Sequence, residues 1–242
     1  MITPTPQAPT DLQTGDIQEQ NPKRTVATVW ILAAVSILIA LIVYPHLPDP
    51  MPTHWGLEGK PNGWSPRWFG AALIPGMIIL FAILFPILER IDPKRNQYAL
   101  FRKPYAAIQI ALAAFFVYIE SLMFYAAMVP AHNDIIGPGI TVAMGVLFII
   151  LGNYMGKIRQ NWFIGLRTPW TLEDPEIWNK SQRLAGWMFV LGGIAILITG
   201  LTVHSQIALF VLMMSTVVLI SFVPLIYSYI LAMKKRGRVT KS

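Results

Sequence analysis

The sequence predicts an all-α, polytopic membrane protein, a bundle of six transmembrane helices with both termini cytoplasmic. Three observations carry this. Of 242 residues, 55% are hydrophobic and only 13% charged, about half the charged share of a soluble domain. The charges are clumped, and the stretches between them reach the ~20 apolar residues that a helix needs to cross a bilayer. All but two of the 19 Lys and Arg residues fall on one side of those stretches, with only Lys60 and Arg67 on the other. The positive-inside rule then orients the chain. The same sorting accounts for the net charge of +7, so no direct nucleic-acid partner is expected. With no cysteine in the chain, disulfide and thiolate chemistry are excluded.

Residues 1–24 are polar, aperiodic and interrupted by Pro4, Pro6 and Pro9, and are expected to form a disordered cytoplasmic tail. The membrane domain spans residues 25–233. Its first helix is expected at 26–44, an apolar run too long for a signal peptide and lacking a small-residue cleavage site. The outer loop, 45–67, carries Pro45, Pro48, Pro50, Pro52, Pro61 and Pro66 with Gly56, Gly59 and Gly63, a composition that forbids helix and favours successive turns. The second helix, 68–88, contains Pro75, Gly76 and Pro86 and should kink. A basic loop, 89–104, leads to helices at 105–129 and 135–151. A cytoplasmic loop follows over 152–183, then helices at 184–203 and 207–233 joined by His204-Ser205-Gln206. A basic cytoplasmic tail, 234–242, ends the chain.

The loop at 152–183 is richer than a connector requires. It holds Trp162, Trp170 and Trp178 with Arg167 and Arg183, and an Arg-Thr-Pro-Trp-Thr turn. Asp174, Pro175 and Glu176 read as cap, first helical position and first-turn acid of a helix. On the outer side, Pro52, His54, Trp55, Glu58, Gly59 and Trp64 form a second ordered passage, suited to meeting an extracellular ligand. All four histidines (His46, His54, His132 and His204) fall in or beside outer loops, so zinc is the metal they would serve if the loops converged, as a metal-dependent membrane enzyme would need. No tight ligand spacing supports that, and no cofactor motif is present.

Glu120 is the one carboxylate inside a span. Ionised at mid-bilayer, an acid costs roughly 2.5–3.5 kcal/mol. Gln109, Ala113, Phe116 and Glu120 share a helical face, expected to point into the bundle. Glu120 is thus a structural acid, a rim residue, or part of a small transporter or channel. Gly145, Gly152 and Gly156, and Gly192, Gly193 and Gly200 in the fifth span, predict close helix packing.

With these residues in place, the chain resembles the SdpI-type immunity-protein family of bacterial membrane proteins. Asn161, Gly165, Leu166, Arg167, Thr168, Pro169, Trp170, Thr171 and Leu172, followed by Glu176, Trp178, Lys180 and Arg183, are similar to the family's N-x-x-x-G-[IL]-R-[TS]-P-W-T-L signature. The Pro52-Thr53-His54-Trp55 loop, with Gly59, Gly63 and Trp64, is similar to an uncharacterised domain often found N-terminal to that module. Ser181-Gln182 departs from the Thr-His that many relatives carry before the last Arg, and no catalytic residue is assigned. The resemblance implies a bacterial plasma-membrane protein that confers resistance to a secreted peptide toxin. It also implies signal transduction, by holding a cytoplasmic repressor at the membrane. On that reading Arg167 contacts acidic or carbonyl groups, while Trp170 and Trp178 anchor the loop at the bilayer interface.

Overall fold

The computed structural model describes residues 22–239. Apolar length decides the architecture. Among the described residues, six helices are long and apolar enough to cross a membrane: α1 (Pro22–Val43), α2 (Arg67–Ile91), α3 (Arg102–Met128), α4 (Ile136–Met155), α6 (Pro175–Thr202) and α7 (Gln206–Val239). A one-turn helix, α5 (Pro169–Glu173), precedes α6. Three boundaries differ most from expectation, and the first is the fifth span, expected at 184–203, which starts nine residues earlier at Pro175, where Asp174 caps it. The tail expected through residue 24 loses its last residues to α1, which begins at Pro22; residues 1–21 lie outside the described residues. The expected basic tail continues α7 as helix to Val239, because Lys235 is held by Asp174 at 2.5 Å and by Glu176 at 3.4 Å; residues 240–242 lie outside the described residues.

The outer loop corrects the expectation of successive turns. Met51–Trp55 (β1) and Pro61–Ser65 (β2) pair antiparallel as a hairpin with register shifts around His54. Its turn closes through Gly56 N–H to the Lys60 carbonyl and Gly59 N–H to the Gly56 carbonyl, both 2.9 Å. Gly59 sits at φ +73°, a conformation that glycine adopts without strain. Two of the loop's prolines, Pro52 and Pro61, fall at strand positions that a two-stranded ribbon tolerates, since each strand is an edge. Met51, wholly buried, pins the hairpin to the start of α2, where Gly70 leaves room for its side chain.

Two apolar clusters hold the bundle. Met51, Leu47, Ile74, Ile78, Met123 and Phe124 join α1, α2, α3 and the hairpin. At the opposite, basic end, Tyr98, Phe101, Tyr105, Ile108, Ile158 and Trp178 pack around one another. Between α4 and α6 the backbones approach closely at the glycines, with Phe148 and Phe189 packed on each other beside them. A Cβ on Gly145 would lie 2.6 Å from Leu197 N, and one on Gly152 2.7 Å from the Gly186 carbonyl oxygen. The glycines expected to mark close packing therefore bring backbone onto backbone.

Candidate functional site

The hairpin leans over the ends of α4 and α7 and encloses a pocket of about 350 Å³. His54, Trp55 and Gly59 line it from the hairpin, Ile136, Ile140 and Thr141 from α4, and Gln206, Phe210 and Met213 from α7. Polar bonds fix its roof. Trp55 Nε1 donates to Asn133 Oδ1 at 3.3 Å, and Gln206 Nε2 donates to the Asp134 carbonyl at 2.7 Å. His54 Nδ1 and Asn62 Oδ1 lie 2.5 Å apart, so the ring nitrogen donates. The chemistry on offer is an apolar slot with a polar rim, fit for an aliphatic or aromatic side chain. Of the outer residues named from sequence, His54, Trp55 and Gly59 meet here. Pro52 is buried below, Trp64 is exposed, and Glu58 forms only an exposed pair with Lys60 at 3.5 Å. Asn62, Thr141, Gln206, Phe210 and Met213 were not legible as site residues, because an amide or apolar side chain near a span end carries no local signal of its partner.

The four histidines do not converge. His132 Nδ1 bonds the Tyr125 hydroxyl at 2.8 Å with the two rings stacked, His54 bonds Asn62, and His46 and His204 are exposed on separate turns. Among the described residues, no group of three His, Asp or Glu side chains could hold a metal ion.

Glu120 is fully buried and accepts a 2.6 Å hydrogen bond from Ser36 Oγ of α1. The rim position allowed from sequence is therefore corrected, since its side chain points between helices rather than at water. Gln109, also buried, lies about three turns of helix away on the same face, with Ala113 and Phe116 between.

At the basic end the passage after α4 is wired to itself and to the loop before α3. Asn161, wholly buried, uses its whole side chain. Its Nδ2 donates to the carbonyls of Arg159 and Ile164, and its Oδ1 accepts from the backbone N–H groups of Phe163 and Ile164, all at 2.7–2.9 Å. Gly165 adopts φ +108°. Thr168 caps α5 in a reciprocal box with Thr171, as the Thr-Pro start invites. Asp174 caps α6, accepting from Glu176 N and Ile177 N at 2.9 and 3.3 Å. The bond from Lys235, helped by these amides, holds the Asp174 carboxyl below its ordinary value of 3.8.

Trp178 corrects an expectation. It is wholly buried and donates Nε1–H to the Ile158 carbonyl at 2.9 Å, so it is core rather than an interfacial anchor. Trp170, half-buried, donates to Ser228 Oγ at 2.8 Å and packs on Tyr229. Arg167 Nη1 reaches the Trp162 carbonyl at 2.6 Å, and the Arg183 chain runs along Gly156. The exposed face consists of Trp162, Arg167, Pro169 and Glu173. The residue that sequence reading missed is Asp92. Buried in the loop after α2, it accepts from the Tyr98 hydroxyl and from Trp162 N–H, each at 2.9 Å, and from Lys94 N–H at 2.7 Å. Lys94 Nζ in turn reaches Gln160 Oε1 and the Leu172 carbonyl. Asp92-Pro93 reads locally as a loop signal, and nothing in it announces a partner seventy positions on.

Both sites fall in segments with known relatives. Residues 31–79, which include the hairpin, match a Domain of unknown function (DUF1648). Over 201 residues the chain is 27% identical to "Immunity protein SdpI" of Bacillus subtilis (strain 168), covering 83% of this chain and 91% of that protein. No solved structure matches the chain. Residues 157–228, which run from the wired passage into α7, match the SdpI/YfhL protein family.

Proposed function

We propose that this chain is an immunity protein of the bacterial plasma membrane, with both termini cytoplasmic, that confers resistance to a secreted peptide toxin. The observation that carries the reading is the similarity to Immunity protein SdpI over nine-tenths of that protein's length. The hairpin-end pocket supports it by offering an apolar slot, on the side poor in Lys and Arg, to a side chain of an extracellular peptide. Trp55, Phe210 and Met213 supply contact area, while Gln206 and Asn62 select orientation through hydrogen bonds. At the basic end, Trp162, Arg167 and Pro169 present the surface on which a cytoplasmic repressor is held. For toxin to drive that capture, it must bind one helix arrangement more tightly than another.

The transport reading has less support, because Ala113 and Phe116 stand between Glu120 and Gln109 on their shared face. The scattered histidines weigh against a metal-dependent enzyme. The test is survival of a toxin-sensitive bacterium expressing the chain under a panel of secreted peptide toxins. Protection against one toxin, lost in Phe210→Ala/Met213→Ala while membrane insertion persists, is expected. Arg167→Ala is expected to abolish repressor capture and leave insertion intact. No protection against any toxin, with the protein verified in the membrane, would overturn the reading.

A further inference from the structure

The basic end holds a second cavity, of about 530 Å³, between α1, α2 and α3, within the size range of small-molecule sites. It belongs to neither the hairpin pocket nor the signature passage. Its residues sort by depth. Arg90 at the end of α2 and Arg102 at the start of α3 stand at the helix termini, where a membrane's headgroups lie. Val26, Pro86 and Ala106 form apolar walls, and Gln109 lies seven residues, about 10 Å of helix rise, beyond Arg102. Arg102 is half-neutralised by Glu89 at 2.7 Å. Arg90 is exposed and makes no ion pair or hydrogen bond among the described residues. The cavity therefore pairs an unspent cation at the interface with apolar walls that continue toward the hydrocarbon.

We infer that this cavity binds one anionic glycerophospholipid, with its phosphate on Arg90 and Arg102 and its first acyl methylenes against Val26, Pro86 and Ala106. A purely ionic ligand would leave the apolar walls unmatched, and a zwitterionic lipid would bring a headgroup ammonium that the two arginines repel. Basic pockets between transmembrane helices are suited to anionic headgroups in this way.

The full chain, purified in mild detergent, would be supplied with phosphatidylglycerol or phosphatidylcholine and examined by native mass spectrometry. Retention of one phosphatidylglycerol, preferred over phosphatidylcholine by about tenfold, is expected. Arg90→Glu should remove that preference. Lys234→Glu, at a basic residue that lines no part of the cavity, should keep it. Val26→Trp, which fills the wall from α1, should lower phosphatidylglycerol retention without touching a cation. Equal retention of the two lipids would overturn the inference, as would equal loss in Arg90→Glu and Lys234→Glu. Displacement by millimolar inorganic phosphate would also overturn it, by assigning the cations to a free anion.

Discussion

Gly165 shows how little freedom the signature passage has. Its φ of +108° is one that L side chains rarely adopt, and a Cβ there would collide with the Gln182 amide. Gly165→Ala should therefore destabilise the protein by about 1–3 kcal/mol, read as a lower Tm in detergent; an unchanged Tm would mean the turn relaxes freely. Asp174 makes a pH prediction. Its carboxyl is held low by Lys235 and the α6 amides, so its contribution is present above the ordinary value of 3.8 and is lost as pH falls through the depressed folded value. The last turns of α7 should keep their hydrogen-exchange protection, corrected for intrinsic rate, from pH 8 down to that ordinary value. Below it they should lose protection, and Lys235→Ala should remove the pH step.

Among the elements, the α4–α6 seam admits the fewest substitutions. Gly145 and Gly193 face each other's helix so closely that a Cβ on either would sit 2.8 Å or less from backbone atoms of the other. Backbone cannot swing aside as a side chain can. Gly145→Val should cost about 1–3 kcal/mol or more, whereas Gly76→Ala in α2, where a Cβ meets nothing within 4 Å, should stay within about 1 kcal/mol of wild type. Thermal aggregation of the two variants in detergent checks the contrast, and equal losses would remove the seam from the account. The elements also show what a sequence carries. Bilayer thickness sets helix length, so the spans are legible in runs of apolar residues, and Asp174-Pro175-Glu176 announces the start of α6 within three positions. The hairpin was not legible, because its prolines speak against strand everywhere except at an edge, and nothing local says that both of its strands are edges.

The whole molecule can be probed through what it lacks. The chain has no cysteine, so a single introduced thiol reports its own position. With the hairpin outside, a membrane-impermeant maleimide should label Glu58→Cys on intact cells and Lys180→Cys only after lysis; the reverse pattern would invert the orientation. At this scale the site was half legible. The two loops stood out by composition, yet their inner partners, Asp92 for one and Gln206 for the other, could not be read, because each acts through contacts far away in the chain. Those same contacts bear on motion. The α2–α3 loop is tied to the passage by Asp92 and Trp162, and the α1–α2 hairpin touches the head of α7 where Gly59 meets Gln206. The hairpin, within the DUF1648-matching segment, and the α2–α3 loop beyond that segment are thus each tied to the SdpI/YfhL-matching segment, at opposite ends of the bundle. Any rearrangement that separates the hairpin from α7, or the α2–α3 loop from the passage, has to break one of these ties.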